Sequence, residues 1–305
     1  MDTVWRAVWH HWFIRTIESV SAHLAVVVLA VALTVVIPVG YVRLLTSDKP
    51  DDEIWHDLFQ RIFQLYLGAA GIRLEIVGAE FLPPADRPMI VAANHQSLLD
   101  GPIMDIATGA RHGVAITAPA KHFPWPMSFW VAKVGSIQVG RTKEELAKYR
   151  PFGALSGKEA IKRAIMVLKE QQTSLLIFSE GHTEVGYKPL PFQTGAIRIA
   201  LQSGVPLIPA TIRNANGIMP ISKRVLRPGT ITITFHEPFS LTNDPSLLND
   251  RALVKLWSSQ LLCRIAADLP PSYFSPGMAL ACKEVLQLHP ILRAAIKTTK
   301  GTVAE

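Results

Sequence analysis

The sequence predicts an α/β fold: a central, mostly parallel sheet with flanking helices, preceded by an N-terminal membrane-embedded helical region. Three observations carry that prediction. From about residue 73 onward, short runs rich in Val and Ile alternate with longer stretches of helical period, the pattern of a sheet covered by helices. Residues 24–41 form an apolar run of 18 positions without a charge. The whole chain is lean in charge, with 18% Asp, Glu, Lys and Arg beside 49% hydrophobic residues, whereas a soluble domain carries about 25% charged residues. Its 305 residues suffice for one large catalytic domain with appendages. We divide them into N-terminal anchoring helices (1–72), an α/β domain (73–245) and a basic helical region (246–305).

The charge balance narrows the partners. A formal charge of +7 and a pI of about 9.5 favour anionic partners, among them nucleic acid, anionic lipid and small acidic molecules. The mean hydropathy of +0.24 fits lipid and disfavours nucleic acid. Two cysteines, Cys263 and Cys282, are too few for a disulfide scaffold or a cysteine zinc site, and nothing in them requires an oxidising compartment.

Taken in order, the elements are these. A helix over residues 24–41 would span roughly 27 Å, near the thickness of a bilayer's hydrocarbon core. Trp5, Trp9, Trp12 and Phe13 before it, and Tyr41 and Arg43 after it, are placed as interfacial anchors. Its late start and its length argue against a signal peptide. A second helix follows over residues 51–70, after Pro50, with Asp51 or Asp52 as its cap. Ile54, Leu58 and Ile62 form one four-spaced row on it, and Trp55, Phe59, Phe63 and Leu67 another. This wide apolar stripe reads equally as core packing or as membrane-surface docking. Strands are expected at Arg73–Val77, Met89–Ala93, Val114–Ala118, Ser136–Val139, Ser174–Phe178, Leu207–Ile212 and Thr230–Phe235, with helices notably at Ser156–Gln171 and Gly195–Gln202. From Asp250 the chain reads as helices broken by Pro270, Pro271 and Pro290. Residues 251–305 carry seven Lys and Arg against three Asp and Glu, a tail that either lies on anionic lipid or caps the domain.

Chemistry concentrates in Asn94-His95-Gln96-Ser97-Leu98-Leu99-Asp100, directly after a strand. Active sites of α/β sheets gather at the carboxyl ends of strands. A His there is a natural general base near neutral pH. An Asp five residues on, in a loop running into a helix, can turn back to one ring nitrogen, fix the tautomer and stabilise the imidazolium. Three further segments follow in order: GSIQVGR at 135–141, FSEGHT at 178–183, and PFQTGAIRIA at 191–200 leading to VPLIPATI at 205–212.

As a set, these blocks resemble the glycerolipid acyltransferase family, whose best-known members are the lysophosphatidate acyltransferases. That family carries an NHxxxxD block, a Gly-x5-Arg block, an FPEGTR block and a VPxxPV-like block. The resemblance covers roughly residues 76–240 and implies roles residue by residue. His95 would deprotonate the acceptor hydroxyl and Asp100 would orient it. Asn94, in the same block, would contribute to binding substrate. Arg141 would bind the acceptor's phosphate, where a planar donor fork suits an oxyanion. Glu180 and Gly181 would shape that pocket, together with His182 and Thr183. The third block departs from the family: His182 and Thr183 stand where Thr and Arg are expected, so the second phosphate-binding arginine is missing. Gln193 occupies a position where Lys is frequent, and Lys188 or Arg198 are the nearby cations. The departure leaves the reaction class intact and opens the identity of the acceptor.

The function implied is direct transfer of a fatty-acyl chain from acyl-coenzyme A or acyl carrier protein to a lysophospholipid hydroxyl, lysophosphatidate first. A different lysolipid acceptor or a phospholipid acyl donor is the alternative, and a non-catalytic membrane-binding protein the second. The resemblance implies no metal and no cofactor beyond the acyl donor, no nucleic-acid partner, and an inner or plasma membrane location with the catalytic domain on the cytoplasmic side. Other chemistries lack their signatures. There is no GxSxG elbow, and no HExxH or Cys/His zinc cluster. GALSGKE at 153–159 is one residue short of a P-loop and places Glu159 where Ser or Thr would bind magnesium.

Overall fold

The computed structural model describes residues 20, 23–24, 27–29, 31, 34–109, 113–122, 127–181, 192–220, 226–241, 245–270 and 282. Among the described residues seven strands form one sheet: β1 (Ile72–Val77), β2 (Ile90–Ala93), β3 (Gly113–Thr117), β4 (Ile137–Gln138), β5 (Ser174–Phe178), β6 (Leu207–Arg213) and β7 (Gly229–Phe235). Their spatial order is β1-β7-β6-β2-β5-β3-β4. Every pairing is parallel except β6 with β7. Strands β6, β2, β5, β3 and β4 therefore end at one edge of the sheet, and the sequence-predicted strand positions hold throughout.

The helices are α1 (Val27–Thr46), followed by α2 (Asp51–Ala69), α3 (Asp100–Ala107), α4 (Met127–Lys133), α5 (Lys143–Tyr149), α6 (Gly157–Lys169), α7 (Gly195–Ser203), α8 (Ala215–Ile218) and α9 (Arg251–Ala266). They cover both faces of the sheet. On one face, α6, α7 and α9 pack over Ile90, Ala92, Leu175 and Ile177. On the other, Leu67 of α2, Ile103 and Met104 of α3 and Ile218 of α8 pack over Val91, Ala93, Ile208 and Ile231. β2 is buried at every position, which is why it reads as a continuous apolar run without polar alternation. The helix α6 shows how local signals fix an element. Ser156 and Glu159 form a reciprocal capping box at its start, and Ala160, Ala164, Val167 and Leu168 recur on the buried face.

Three expectations change. The α2 stripe is core: Ile54, Trp55, Leu58, Phe59 and Ile62 are each no more than 5% exposed and are covered by Val131 of α4, by Val134 just after it, and by α1. It is not a membrane-docking face. Nor do Asp51 or Asp52 cap α2; Pro50 holds the N-cap position, and both Asp residues lie in the first turn, where they face the positive end of the helix dipole. In the basic C-terminal region, α9 is neither a lipid-lying tail nor a solvated cap. Asp250 caps it by accepting from the Leu253 amide at 2.9 Å, and Val254, Trp257, Leu261 and Ile265 enter the domain core. Cys263 of α9 is joined to Cys282 by a disulfide. Pro271 and Pro290 lie outside the described residues.

The apolar helix has two characters. α1 has a mean hydropathy of 2.2 over its best window. Val36, Ile37 and Leu44 pack against α2 and α4, and Gly40 admits the Trp55 ring so closely that a Cβ there would lie 2.5 Å from it. On the opposite side Val27, Val31, Val35 and Val42 are more than half exposed, at 57%, 58%, 57% and 58%. Their spacing of four, four and seven is one helical stripe, so a continuous apolar strip faces outward.

Candidate active site

The site forms where β2 and β5 end side by side. β2 runs out at Ala93, and the side chain of Asn94 then joins it to β6: its Oδ1 accepts from the Ile212 amide at 2.7 Å and its Nδ2 donates to the Ile212 carbonyl at 3.0 Å. Asn94 is 1% exposed. The residue expected to touch substrate thus closes the mouth of the sheet and fixes where the next residue emerges. Gln96 adds a second bond to the Ile212 carbonyl, at 2.8 Å. Ser97 donates its hydroxyl to the Met219 carbonyl at 2.8 Å. The turn between β2 and α3 is therefore held from three points.

His95 stands out of this turn with its imidazole 21% exposed. Its backbone N–H donates to Oε1 of Glu180 at 2.8 Å. Its Nδ1 is 2.8 Å from Oδ2 of Asp100, and the ring stacks on Phe178 at 4.3 Å with 15° between planes. Asp100 opens α3 and is fully buried. The same Oδ2 also accepts from the amide of Ser97 at 2.7 Å and from the amide of Gln96. Since Oδ2 of Asp100 already accepts from two backbone N–H groups, its contact with Nδ1 assigns the ring proton to Nδ1 and leaves Nε2 as the acceptor. Nε2 has no hydrogen-bond partner among the described residues.

Glu180 and Gly181 follow β5 on the same edge. Ser179 donates its amide to the Ala93 carbonyl at 3.3 Å, which locks the end of β5 to the end of β2. Glu180 is 2% exposed, and Gly181 turns the chain with φ +79° and donates to the Phe178 carbonyl at 3.0 Å. His182, Thr183 and Lys188 lie outside the described residues. Beyond them, Gln193 donates its amide to the Ser179 carbonyl at 2.7 Å, and Arg198 spends its Nε on the Thr194 hydroxyl at 3.1 Å.

Arg141 lies after β4, on the same edge but three strands from β2, roughly 14 Å along the sheet at the usual strand spacing. Its backbone N–H donates to Glu145 at 2.7 Å, and Thr142 caps α5 through the Glu145 amide at 3.0 Å. Gly140 lets the chain pass α5, since a Cβ there would stand 2.6 Å from the Leu146 Cα. The side chain is exposed. Partial desolvation lowers the guanidinium from its ordinary value and the charge of Glu145 opposes that; an arginine starts high enough to stay a cation. The structure thus brings His95, Asp100, Glu180 and Gly181 together and sets Arg141 at the far end of the same edge. Phe178 was missed in the sequence: its strand position was clear, but stacking on a ring 83 positions earlier leaves no local trace.

Residues 73–213 match the family model described as Acyltransferase. Several curated proteins are similar over this span and its flanks. A 1-acyl-sn-glycerol-3-phosphate acyltransferase of Chlamydomonas reinhardtii is 26% identical over 214 residues, covering 70% of this chain and 58% of that protein. A chloroplastic enzyme of the same name from Brassica napus is 29% identical over 194 residues, covering 62% and 52%. The chain thus spans between half and three-fifths of the length of these relatives. A crystal structure of the 1-acyl-sn-glycerophosphate acyltransferase PlsC from Thermotoga maritima superposes with a TM-score of 0.59 at 20% identity, covering 81% of this chain and 95% of that one, and shares the fold. Residues 73–213, from β1 to β6, thus match an acyltransferase domain, and the similar curated proteins support the likeness to the glycerolipid acyltransferase family.

Proposed function

We propose that the protein is a membrane-associated O-acyltransferase that moves a fatty-acyl chain from a thioester, acyl-coenzyme A or acyl carrier protein, to the free hydroxyl of lysophosphatidate, giving phosphatidate. The observation that carries this reading is the His95–Asp100 pair at 2.8 Å with Nε2 directed away from its orienting carboxylate. Nε2 takes the hydroxyl proton as the oxygen attacks the thioester carbonyl. The tetrahedral adduct then collapses with loss of the thiolate, and the imidazolium returns the proton to sulfur. The products are an ester and a free thiol, and His95 ends as it began. Asp100 keeps the tautomer and stabilises the imidazolium between the two steps. Arg141 engages the acceptor phosphate with a charge-assisted fork. The exposed apolar stripe of α1 seats the protein on the bilayer, where both acyl chains are delivered. Relatives named for 1-acyl-sn-glycerol-3-phosphate support lysophosphatidate as the acceptor.

The test is an acyl-transfer assay with radiolabelled acyl-coenzyme A and acyl carrier protein, offered against lysophosphatidate and lysophosphatidylcholine. Wild type should prefer lysophosphatidate, and His95→Ala should turn over about 10²- to 10⁴-fold more slowly. A His95→Ala protein of near-normal rate rejects the mechanism. Preference for lysophosphatidylcholine rejects the acceptor and points to a pocket reshaped by His182 and Thr183. We place the catalytic domain on the cytoplasmic side of the inner or plasma membrane. The Cys263–Cys282 disulfide argues for the opposite, oxidising side, because thiols in the cytoplasm are kept reduced; protease accessibility of the domain in spheroplasts against inverted membrane vesicles decides between the two sides.

A further inference from the structure

A second His–Asp pair lies behind the first, on the same helix as Asp100. Asp105 follows it by five residues on α3, and its Oδ1 is hydrogen-bonded to Nε2 of His56 on α2. His56 is 3% exposed and Asp105 16%. One turn further along α2, Gln60 donates its amide to the Asp105 carbonyl at 3.2 Å, and Thr108 donates its hydroxyl to the same oxygen at 3.0 Å. Thus α2 grips Asp105 by side chain and backbone together. Beside this tie, Ile103, Met104 and Ala107 of α3 are packed in the apolar core. Such contacts have no direction and tolerate a helix sliding by a fraction of a turn. A buried ionic tie does not, and fixing register is the best-attested use of such groups.

The register matters at the other end of α3. Its first residue, Asp100, holds the ring of His95 and the amides of the preceding turn through one oxygen. A shift of α3 along α2 moves that oxygen relative to His95, and a misplacement of about 1 Å costs on the order of 10²-fold in rate. The other element of the tie, α2, is the helix on which α1 rests: the neighbour of His56, Trp55, fills the space left by Gly40 and meets the Tyr41 ring edge-on at 5.5 Å.

We propose that His56 is a positioning residue: through Asp105 it sets the place of α3 along α2, and so where Asp100 holds the ring of His95. The assignment rests on the acyltransfer reading above, and its test is built to stand apart from it. The key protein is the double variant His56→Leu/Asp105→Leu, which exchanges the pair for apolar side chains and so avoids leaving one charge buried alone. Such exchanges are frequently neutral or stabilising, so the fold is kept while the directional tie is lost. Its kcat should fall about tenfold or more, with KM for the acceptor within about twofold of wild type. His56→Gln, which keeps a donor near the place of Nε2, should recover most of that rate.

The second readout needs no turnover. In histidine-labelled full-length protein in lipid nanodiscs, the His95 Nδ1 proton bound to Asp100 gives a downfield signal, identified by its loss in Asp100→Asn. That signal should move upfield or broaden in the double variant. An unmoved signal overturns the proposal whatever the rates, as does a double variant with wild-type kcat. A wild type without transfer activity rejects the acyltransfer reading instead, and the nuclear signal still decides the role of His56.

Discussion

At the scale of single residues, the site depends on one carboxylate oxygen. Oδ2 of Asp100 meets the imidazole and the amides of Gln96 and Ser97, while Oδ1 has no hydrogen-bond partner among the described residues. All three donors thus converge on a single acceptor, and an amide in its place is at a disadvantage. If its oxygen faces the donors, the charge that stabilises an imidazolium is gone; if its NH₂ does, donors oppose donors. Asp100→Asn should therefore lose about 10²- to 10⁴-fold in kcat with little change in KM, measured beside its urea unfolding midpoint. Full activity in Asp100→Asn would make that residue a helix-start anchor alone.

Among the elements, the segment from β4 to α5 sets one end of the proposed acceptor site. Arg141→Ala should raise KM for lysophosphatidate roughly tenfold or more, since a hydrogen bond to a charged group is worth about 1.5–3 kcal/mol. Gly140→Ala should act in the same direction without touching the guanidinium, because the added methyl collides with the backbone of α5 at 2.6 Å and turns Arg141 away. A Gly140→Ala enzyme of unchanged KM would show that Arg141 does not reach the acceptor. The α2–α3 contact carries a pH dependence of its own. Burial works against a charged His56, but the hydrogen bond to Asp105 and the charges of Asp105, Asp57 and Asp52 outweigh it, so its pKa stands above the ordinary 6.5. Stability from this source is fully present below the unfolded value and is lost as pH rises through the raised folded value. The urea midpoint of wild type should exceed that of His56→Gln most clearly below pH 6.5, and the gap should narrow as pH rises. A gap that widens with pH would contradict the assignment.

On the scale of the whole molecule, α1 is at once an exposed apolar strip, proposed to face lipid, and part of the packing. Its outward valines lie opposite the side that covers Trp55. Removing residues 1–46 should therefore expose the α2 stripe, and the truncated chain should aggregate without detergent and float with vesicles of neutral lipid. A monodisperse monomer in buffer, seen by sedimentation, would show that α2 and α4 close the core by themselves. In the intact protein the aromatic face of α2 is buried, so among the described residues the proposed membrane contact rests on α1.

The sequence by itself determined the strand positions and the proposed reacting pair, because both are local. Each strand is a short apolar run bounded by polar or turn residues, and the His and Asp lie five positions apart across one strand-to-helix turn. Periodicity also identified α6, where cap and stripe agree. Tertiary structure alone decided the rest. Whether the stripe of α2 meets lipid or protein depends on α4, a short helix with no cap signal of its own. Asn94 was expected to bind substrate from its place in the NHxxxxD block; the partner of its side chain, Ile212, lies 118 positions away, and only the pairing of β2 with β6 brings them together. The His56–Asp105 tie, at a separation of 49, was equally hidden. Hydrophobic pattern specifies which face of an element is buried, but the partner across that face is set by how the whole chain closes.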